Sequence, residues 1–245
     1  RNLHLASPGH HQIENALGSF YRLGTMRVCP SNQWLVYSVD LSGDDHYRLF
    51  IKSLVQASHC RQAIATADYK LELGEEIECE GSVKNFTLIA HGFTETSRYT
   101  SSPLRPCILY TCAPYDSTKQ KDSCPPDVSR AIEFRAAIPV DDRQDVIGVR
   151  SSYRHHLLYE ETLPGATLDV NPTKAGLFQV ISSVAPNSTQ VFVLETQKAK
   201  DWTGLTSVKS QDIASRLATA LRPLWQRKEG RMYFVEHMRN HFLIM

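Results

Sequence analysis

The residues able to do chemistry are scattered along this chain rather than gathered. A nucleophilic serine on a strained strand-to-helix turn needs G-x-S-x-G, because only small neighbours let the hydroxyl stand clear. None of the 12 glycines opens that pattern. His237 and His241 stand four apart, a spacing that puts two imidazoles on one face of a helix. Here they fall in a segment that reads strand, turn, strand, so the spacing loses that meaning, and H-E-x-x-H is absent. His10-His11 and His155-His156 are adjacent pairs, and adjacent residues of a strand point to opposite faces. Cys107 and Cys112 read as neighbours across a turn, with no second pair to complete a zinc site. The carboxylate pairs Asp44-Asp45, Asp141-Asp142 and Glu160-Glu161 sit in turn-like or strand-edge settings and read as solvated charges rather than acid–base pairs. No catalytic, cofactor-binding or metal-binding residue is assigned, and no cofactor is expected.

Composition bounds the answer further. The 245 residues suffice for one large β domain or two smaller ones. Lys and Arg number 27 against 26 Asp and Glu, a net charge of +1. That balance leaves no basic footprint for a nucleic-acid partner. No apolar run approaches the roughly 20 residues of a membrane helix, and the polar, histidine-bearing start has no secretory core. The chain begins at Arg1 rather than Met, as a fragment or processed product would. Six scattered cysteines form no C-x-x-C pair. They read as reduced thiols of an intracellular, cytoplasmic protein rather than a disulfide framework. Two N-x-[ST] tripeptides, at Asn85 and Asn187, are of a kind that arises often by chance.

The elements that would position any site are strands. Trp34 to Asp40 is rich in β-branched and aromatic residues. In His46 to Lys52, Tyr47, Leu49 and Ile51 alternate with His46, Arg48, Phe50 and Lys52, the period of a half-buried strand. Leu41 to Asp45 supplies turn residues between them, so the unit is a β-hairpin. The order apolar residue, polar Pro turn, strand returns at residues 168–183, with Pro30 and Pro172 142 positions apart. That is close to three steps of about 47, near the four-strand repeat of a propeller blade. Val191 to Leu194 reads as a buried partner strand. Met232 to Glu236 and His241 to Met245 read as a strand pair. Ile108 to Thr111 and Ala131 to Ile138 are apolar enough for strands but resist placement in blades. One segment breaks the pattern: Ile213, Leu217 and Leu221 recur every four residues, Ser210 caps the start and Pro223 ends it. This predicts a short amphipathic helix, inserted near 210–222.

LGSFYRLGTMRVCPSNQWLVYSVDLSGDDHYRLFIKSL, residues 17–54, resembles the first propeller blade of the prolyl oligopeptidase family, in its oligopeptidase B and prolyl-endopeptidase-like branch. SSPLRPCILY resembles that family's Leu-Arg-Pro element. HHLLYEETLPGATLDVNPTKAGLFQVISSVAPNSTQVFVLE resembles its Tyr-Glu-Glu element with the blade that follows, and MYFVEHMRNHFLIM the element after that. The weight lies in the order of the four. The resemblance implies an all-β fold, part of a seven-bladed β-propeller. At about 47 residues per blade the chain would hold about five blades. Residues 1–20 would be a linker or the end of an N-terminal extension, and residues 21–245 the partial propeller. The α/β-hydrolase domain that carries the family's Ser-Asp-His triad would be absent. The helix near Ile213 and the segment Lys119 to Pro126 depart from the family pattern.

The implied function is the non-catalytic, substrate-gating part of a serine-type oligopeptidase that hydrolyses short peptides. Short peptides are the implied partners, reached through the hydrolase domain, with neither nucleic acid nor membrane. Arg105 and Arg154 would face the tunnel, by analogy with peptide-handling members. The alternative is a free-standing or decayed propeller that acts as a protein-interaction module, although the Gly-His…Trp-Asp repeat of one large propeller group is missing. An open ring would expose apolar surface at both ends, so the chain alone is expected to self-associate.

Overall fold

In the computed structural model, which describes residues 22–54, 74–79, 81–89, 105–114, 131–139, 153–203, 210–238 and 241–245, the expected hairpin sits in its expected place. Strand β2 (Trp34–Asp40) pairs antiparallel with β3 (Tyr47–Ser53) along its whole length. The turn between them is held by the buried Asp40 carboxylate, which accepts from the backbone N–H groups of Ser42, Gly43 and Asp45. Those N–H bonds outweigh burial and hold the Asp40 carboxyl below its usual range. Gly43 at φ 81° supplies the left-handed residue. In front of β2, β1 (Arg22–Val28) joins through the Pro-Ser-Asn turn, with Asn32 at φ 56°.

Four antiparallel sheets follow one another along the chain. Sheet I is β1-β2-β3-β4, closed by the three-residue β4 (Glu75–Ile77). Sheet II is β5 (Gly81–Ile89), β6 (Cys107–Pro114), β7 (Ile132–Pro139) and β8 (Tyr153–Glu161). Sheet III is β9 (Thr167–Pro172), β10 (Phe178–Ala185), β11 (Ser188–Glu195) and β12 (Arg222–Trp225). Sheet IV is the hairpin β13 (Val235–Met238) and β14 (His241–Ile244). The described residues make three four-stranded sheets and one two-stranded sheet. Pro30 lies in the turn after β1 and Pro172 ends β9, the corresponding strands of sheets I and III. Their 142-residue separation spans two repeats of about 71, not three of about 47.

The sheets pack face to face. Trp34, Val36, Leu49, Ile51 and Ile77 of sheet I meet Val83, Phe86, Ile108, Tyr110 and Cys112 of sheet II. On the other side of sheet II, Ile89, Cys107, Leu109, Phe134 and Ile138 meet Leu168, Val170, Ile181, Phe192 and Leu194 of sheet III. Sheet II is thus buried on both faces. This is why β6 carries a nearly continuous apolar run with no period of two, and why it resists placement from sequence.

Two helices lie between β11 and β12: α1 (Thr196–Thr203) and α2 (Ser210–Ala220). The expected helix is present, but it is not a loop decoration. Ile213, Ala214 and Leu217 are buried in the core between sheets II and III, and Ala199 of α1 joins them. Helix α1 was hidden in the sequence because its eight residues are mostly polar, with only Ala199 and Trp202 apolar. Among the described residues no helix is long and apolar enough to cross a membrane.

One charged tie joins sheets II and III. Glu161, at the end of β8, is almost fully buried. It accepts from Ser183 of β10, from the Leu163 N–H at 3.0 Å, from the Tyr159 hydroxyl at 3.2 Å and from Arg227 Nη2 at 2.7 Å. Arg227 also reaches Ser188 through Nη1. Of the Glu160-Glu161 pair, only Glu160 is exposed; Glu161 is a buried hub, not the solvated charge expected. Burial alone would raise its pKa. The hydrogen bonds from Ser183 and Leu163, the Arg227 charge and the Tyr159 bond together lower it.

Two outcomes follow from this packing. Phe134→Ala should cost about 3–5 kcal/mol in urea denaturation, while Leu177→Ala, at an exposed site, should stay within about 0.5 kcal/mol; equal losses would contradict the core described. Glu161→Ala should cost roughly 3–5 kcal/mol, because it leaves Arg227 unpaired in a largely buried place. Since folding lowers the Glu161 pKa, its contribution is complete above the ordinary value of 4.5 and is lost as pH falls below it. The stability difference between wild type and Glu161→Gln should therefore shrink on acidification through that window, and a constant difference would refute the assignment.

Candidate functional site

In sheets I, II and III the first strand in sequence, β1, β5 and β9, pairs on one side only. Strand β5 contacts both β1 and β9. A row of polar side chains crosses them. Arg27 of β1 donates from Nη2 to Asn171 Oδ1 of β9 at 3.0 Å. Asn171 Nδ2 donates to Asp169 Oδ2 at 2.7 Å. Asn85 of β5 donates to Asp169 Oδ1 and to the Val170 carbonyl, the latter at 3.0 Å. A second, buried row lies behind it: Thr87 donates to Gln179, and Gln179 to Thr196, each at 3.0 Å. Burial lowers the Arg27 pKa, and the Asp169 charge opposes that shift. The row joins residues as far as 144 positions apart, and no local spacing in the sequence announces it.

This rim offers donors and acceptors of the kind that hold amide groups. Exposed Lys84 and Thr167 stand on the same strands.

The candidate residues of the sequence are placed apart. His237 pairs with Phe242 and His241 with Met238 across the sheet IV hairpin. Directly paired residues share a face and neighbours do not, so the two histidines point to opposite faces. His155 and His156 likewise diverge on β8. His155 Nδ1 lies 2.8 Å from the Tyr110 hydroxyl, and burial, with Arg154 nearby, lowers the His156 pKa. Cys107 and Cys112 are not neighbours across a turn, as expected, but five positions apart on one strand, β6. Cys107 enters the core facing sheet III and Cys112 the core facing sheet I. Burial pushes the Cys107 thiol up to about 12, and Cys79 likewise to about 12, with the nearby Cys112 adding to the shift. Both stay protonated near neutral pH and are poor nucleophiles. Among the described residues no group of three or more His, Cys, Asp or Glu side chains is assembled to hold a metal.

Asp44 and Asp45 occupy the β2–β3 turn, where Asp45 bridges to Arg22. Arg105 does not project as a free cation. It bridges to Glu75 at 2.7 Å and stacks over Trp34 at 5.6 Å, stitching sheets I and II. Arg154 is exposed on β8, the outermost strand of sheet II. Neither lies on β1, β5 or β9, where the tunnel placement would put them. Asn85 is committed to Asp169 and Val170 beside the fully buried Phe86, so a glycan there would break the packing. Asn187 is exposed in the turn between β10 and β11. His10, His11, Cys60, Cys124, Asp141 and Asp142 lie outside the described residues.

No family model matches the chain, and no curated protein matches its sequence. Solved structures do. Oligopeptidase B from Leishmania major is 16% identical with a TM-score of 0.51, over 92% of this chain and 23% of that one. Oligopeptidase B from Trypanosoma brucei, with covalently bound antipain, is 18% identical with a TM-score of 0.50, over 98% of this chain and 26% of that one. A prolyl endopeptidase structure is 15% identical with a TM-score of 0.50, over 93% and 25%. The chain spans about a quarter of the length of the structures it matches. At these identities the likeness is one of fold, and together with the series of face-to-face antiparallel sheets it gives this chain the fold of the propeller region of the prolyl oligopeptidase family.

Proposed function

We propose that this chain is propeller sequence of a serine-type oligopeptidase of the prolyl oligopeptidase family, most like oligopeptidase B, and that it controls which peptides reach a catalytic unit. The observation that carries this reading is the likeness to oligopeptidase B structures over nearly the whole chain. The ordered set of four sequence elements supports it independently. In this reading residues 1–20 are a linker, residues 21–245 belong to a seven-bladed ring, and the described sheets supply three complete blades and part of a fourth. The setting is cytoplasmic, in keeping with thiols that are free at every described cysteine.

The division of labour is physical. The 245 residues contain no elbow serine, so acyl transfer by a serine, a histidine base and an oxyanion hole belongs to a hydrolase unit outside them. The propeller contributes selection. A narrow passage bordered by β1, β5 and β9 admits an extended segment and excludes a folded domain. Arg27, Asn85, Asp169 and Asn171 offer a passing peptide alternative partners for its amides and charges.

The full-length transcript tests the assignment directly. The frame after Met245 is expected to encode G-x-S-x-G, followed by Asp and then His. A frame that stops at Met245 would favour the interaction-module alternative. At the protein level, the 245-residue chain should neither cleave short basic or proline-containing peptides nor react with a fluorophosphonate probe. Labelling that survives rigorous purification would place a nucleophile within the chain and overturn this division.

A further inference from the structure

Sheets I and III have sheet II between them, yet one pair of side chains joins them directly. Arg27 of β1 donates from Nη2 to Asn171 of β9 at 3.0 Å. Sheets packed face to face stand about 10 Å apart, so a parallel stack would set sheet I about 20 Å from sheet III. One arginine and one asparagine do not bridge that gap. The three sheets therefore converge toward β1, β5 and β9. The other edge shows the complementary spread. Helix α2 lies against β8, the last strand of sheet II, and its Ile213 and Leu217 fill the space between sheets II and III. A helix occupies the wide edge of this fan, and a single hydrogen bond spans the narrow one. That bond is lightly held at one end and fixed at the other. Arg27 makes it through one nitrogen, and its buried Nε has no hydrogen-bond partner. Asn171 is anchored by its own bond to Asp169 at 2.7 Å, and Asp169 in turn accepts from Asn85. Strand β9 thus presents a fixed acceptor, and Arg27 is the long arm that reaches it past β5.

We propose that Arg27 is a strap across the narrow edge of the three sheets, and that its bond to Asn171 sets the width of the widest peptide admitted between β1 and β9. This rests on the reading of β1, β5 and β9 as the border of a peptide passage. A slim extended segment fits beside the closed strap. A bulkier one must first part Arg27 from Asn171, and its admission is disfavoured by the worth of that hydrogen bond. The strap is a specificity-determining contact that acts on admission and not on the bond that is cleaved. Its weak hold suits the role. Burial disfavours the Arg27 charge while Asp169 favours it, and a single bond to a neutral amide is exchanged for a peptide carbonyl without loss.

Two measurements separate the strap from the peptidase reading. In the 245-residue chain, nitroxide labels attached through unnatural residues at exposed Leu23 and Thr167 report the separation of β1 and β9 by pulsed electron–electron resonance. Arg27→Ala should lengthen and broaden that distance. Arg27→Lys should keep the wild-type distance, because one donor suffices. An unchanged distribution in Arg27→Ala overturns the strap, whether or not the parent is a peptidase. In the protein encoded by the full-length transcript, the second measurement is the ratio of kcat/KM for a disulfide-closed peptide to that for its linear form. Arg27→Ala should raise this ratio about fivefold, the worth of one hydrogen bond, and Arg27→Lys should leave it near that of the wild type. Equal ratios in wild type and Arg27→Ala overturn the strap. A wild type that cleaves neither peptide overturns the peptidase reading instead, and with it the peptide as what the strap admits.

Discussion

Everything in this molecule depends on sheet II being apolar on both sides. Strand β6 sends Cys107 and Leu109 to one neighbour and Ile108, Tyr110 and Cys112 to the other, all fully buried. A sheet with one greasy face makes a two-layer sandwich and stops. A sheet with two must be covered twice, and its neighbours then face the same demand on their far sides. That requirement, met by sheet after sheet, is what makes a radial architecture from repeated units.

How much of this was legible in the sequence depended on how each strand is solvated. Strand β3 has a mixed environment, and its alternation gave away both its type and its limits. Even there Phe50, on the face with Arg48 and Lys52, is buried against Tyr37 rather than exposed. Strand β6 has no wet side, so period-two alternation vanishes and only apolar composition remains. Helix α2 was visible because it is wet on one side, with Ile213 and Leu217 inward and Gln211, Asp212 and Arg216 outward. Its role was not visible, because nothing local says that the inward stripe fills the wedge between sheets II and III. Short β4 was missed for a different reason: three residues carry no period at all.

The polar ties were the least legible, and the reason is distance along the chain. Glu161 and Arg227 are 66 positions apart, and Arg27 and Asn171 are 144 apart. Each residue on its own has an unremarkable local setting. Glu161 looked like half of a solvated acidic pair because its neighbour Glu160 is one. A strand turns adjacent residues to opposite sides, so the pair was divided by the pleat, one to water and one to the core. The same rule parted His155 from His156, and Cys107 from Cys112. Adjacency in a β protein is evidence of separation, and it counts against sites built from neighbouring residues.

That rule also bears on what kind of work the described part of the molecule does. Catalysis needs a nucleophile or base held within hydrogen-bond reach of its partners and open to substrate. Here Cys107 is sealed in the core and held protonated, the Glu161 carboxylate is fully engaged by its four partners, and the histidine pairs are split between faces. What remains is the polar row across β1, β5 and β9, whose side chains donate and accept hydrogen bonds. Asp169 accepts from Asn85 and Asn171, and Arg27 donates to Asn171 through Nη2 alone. Asp169 and Asn171 are exposed, so, on the proposed gating role, a passing chain would exchange with these bonds one at a time. Weak, exchangeable contacts of that kind would let an extended segment slide, whereas a tightly held ligand would block the way.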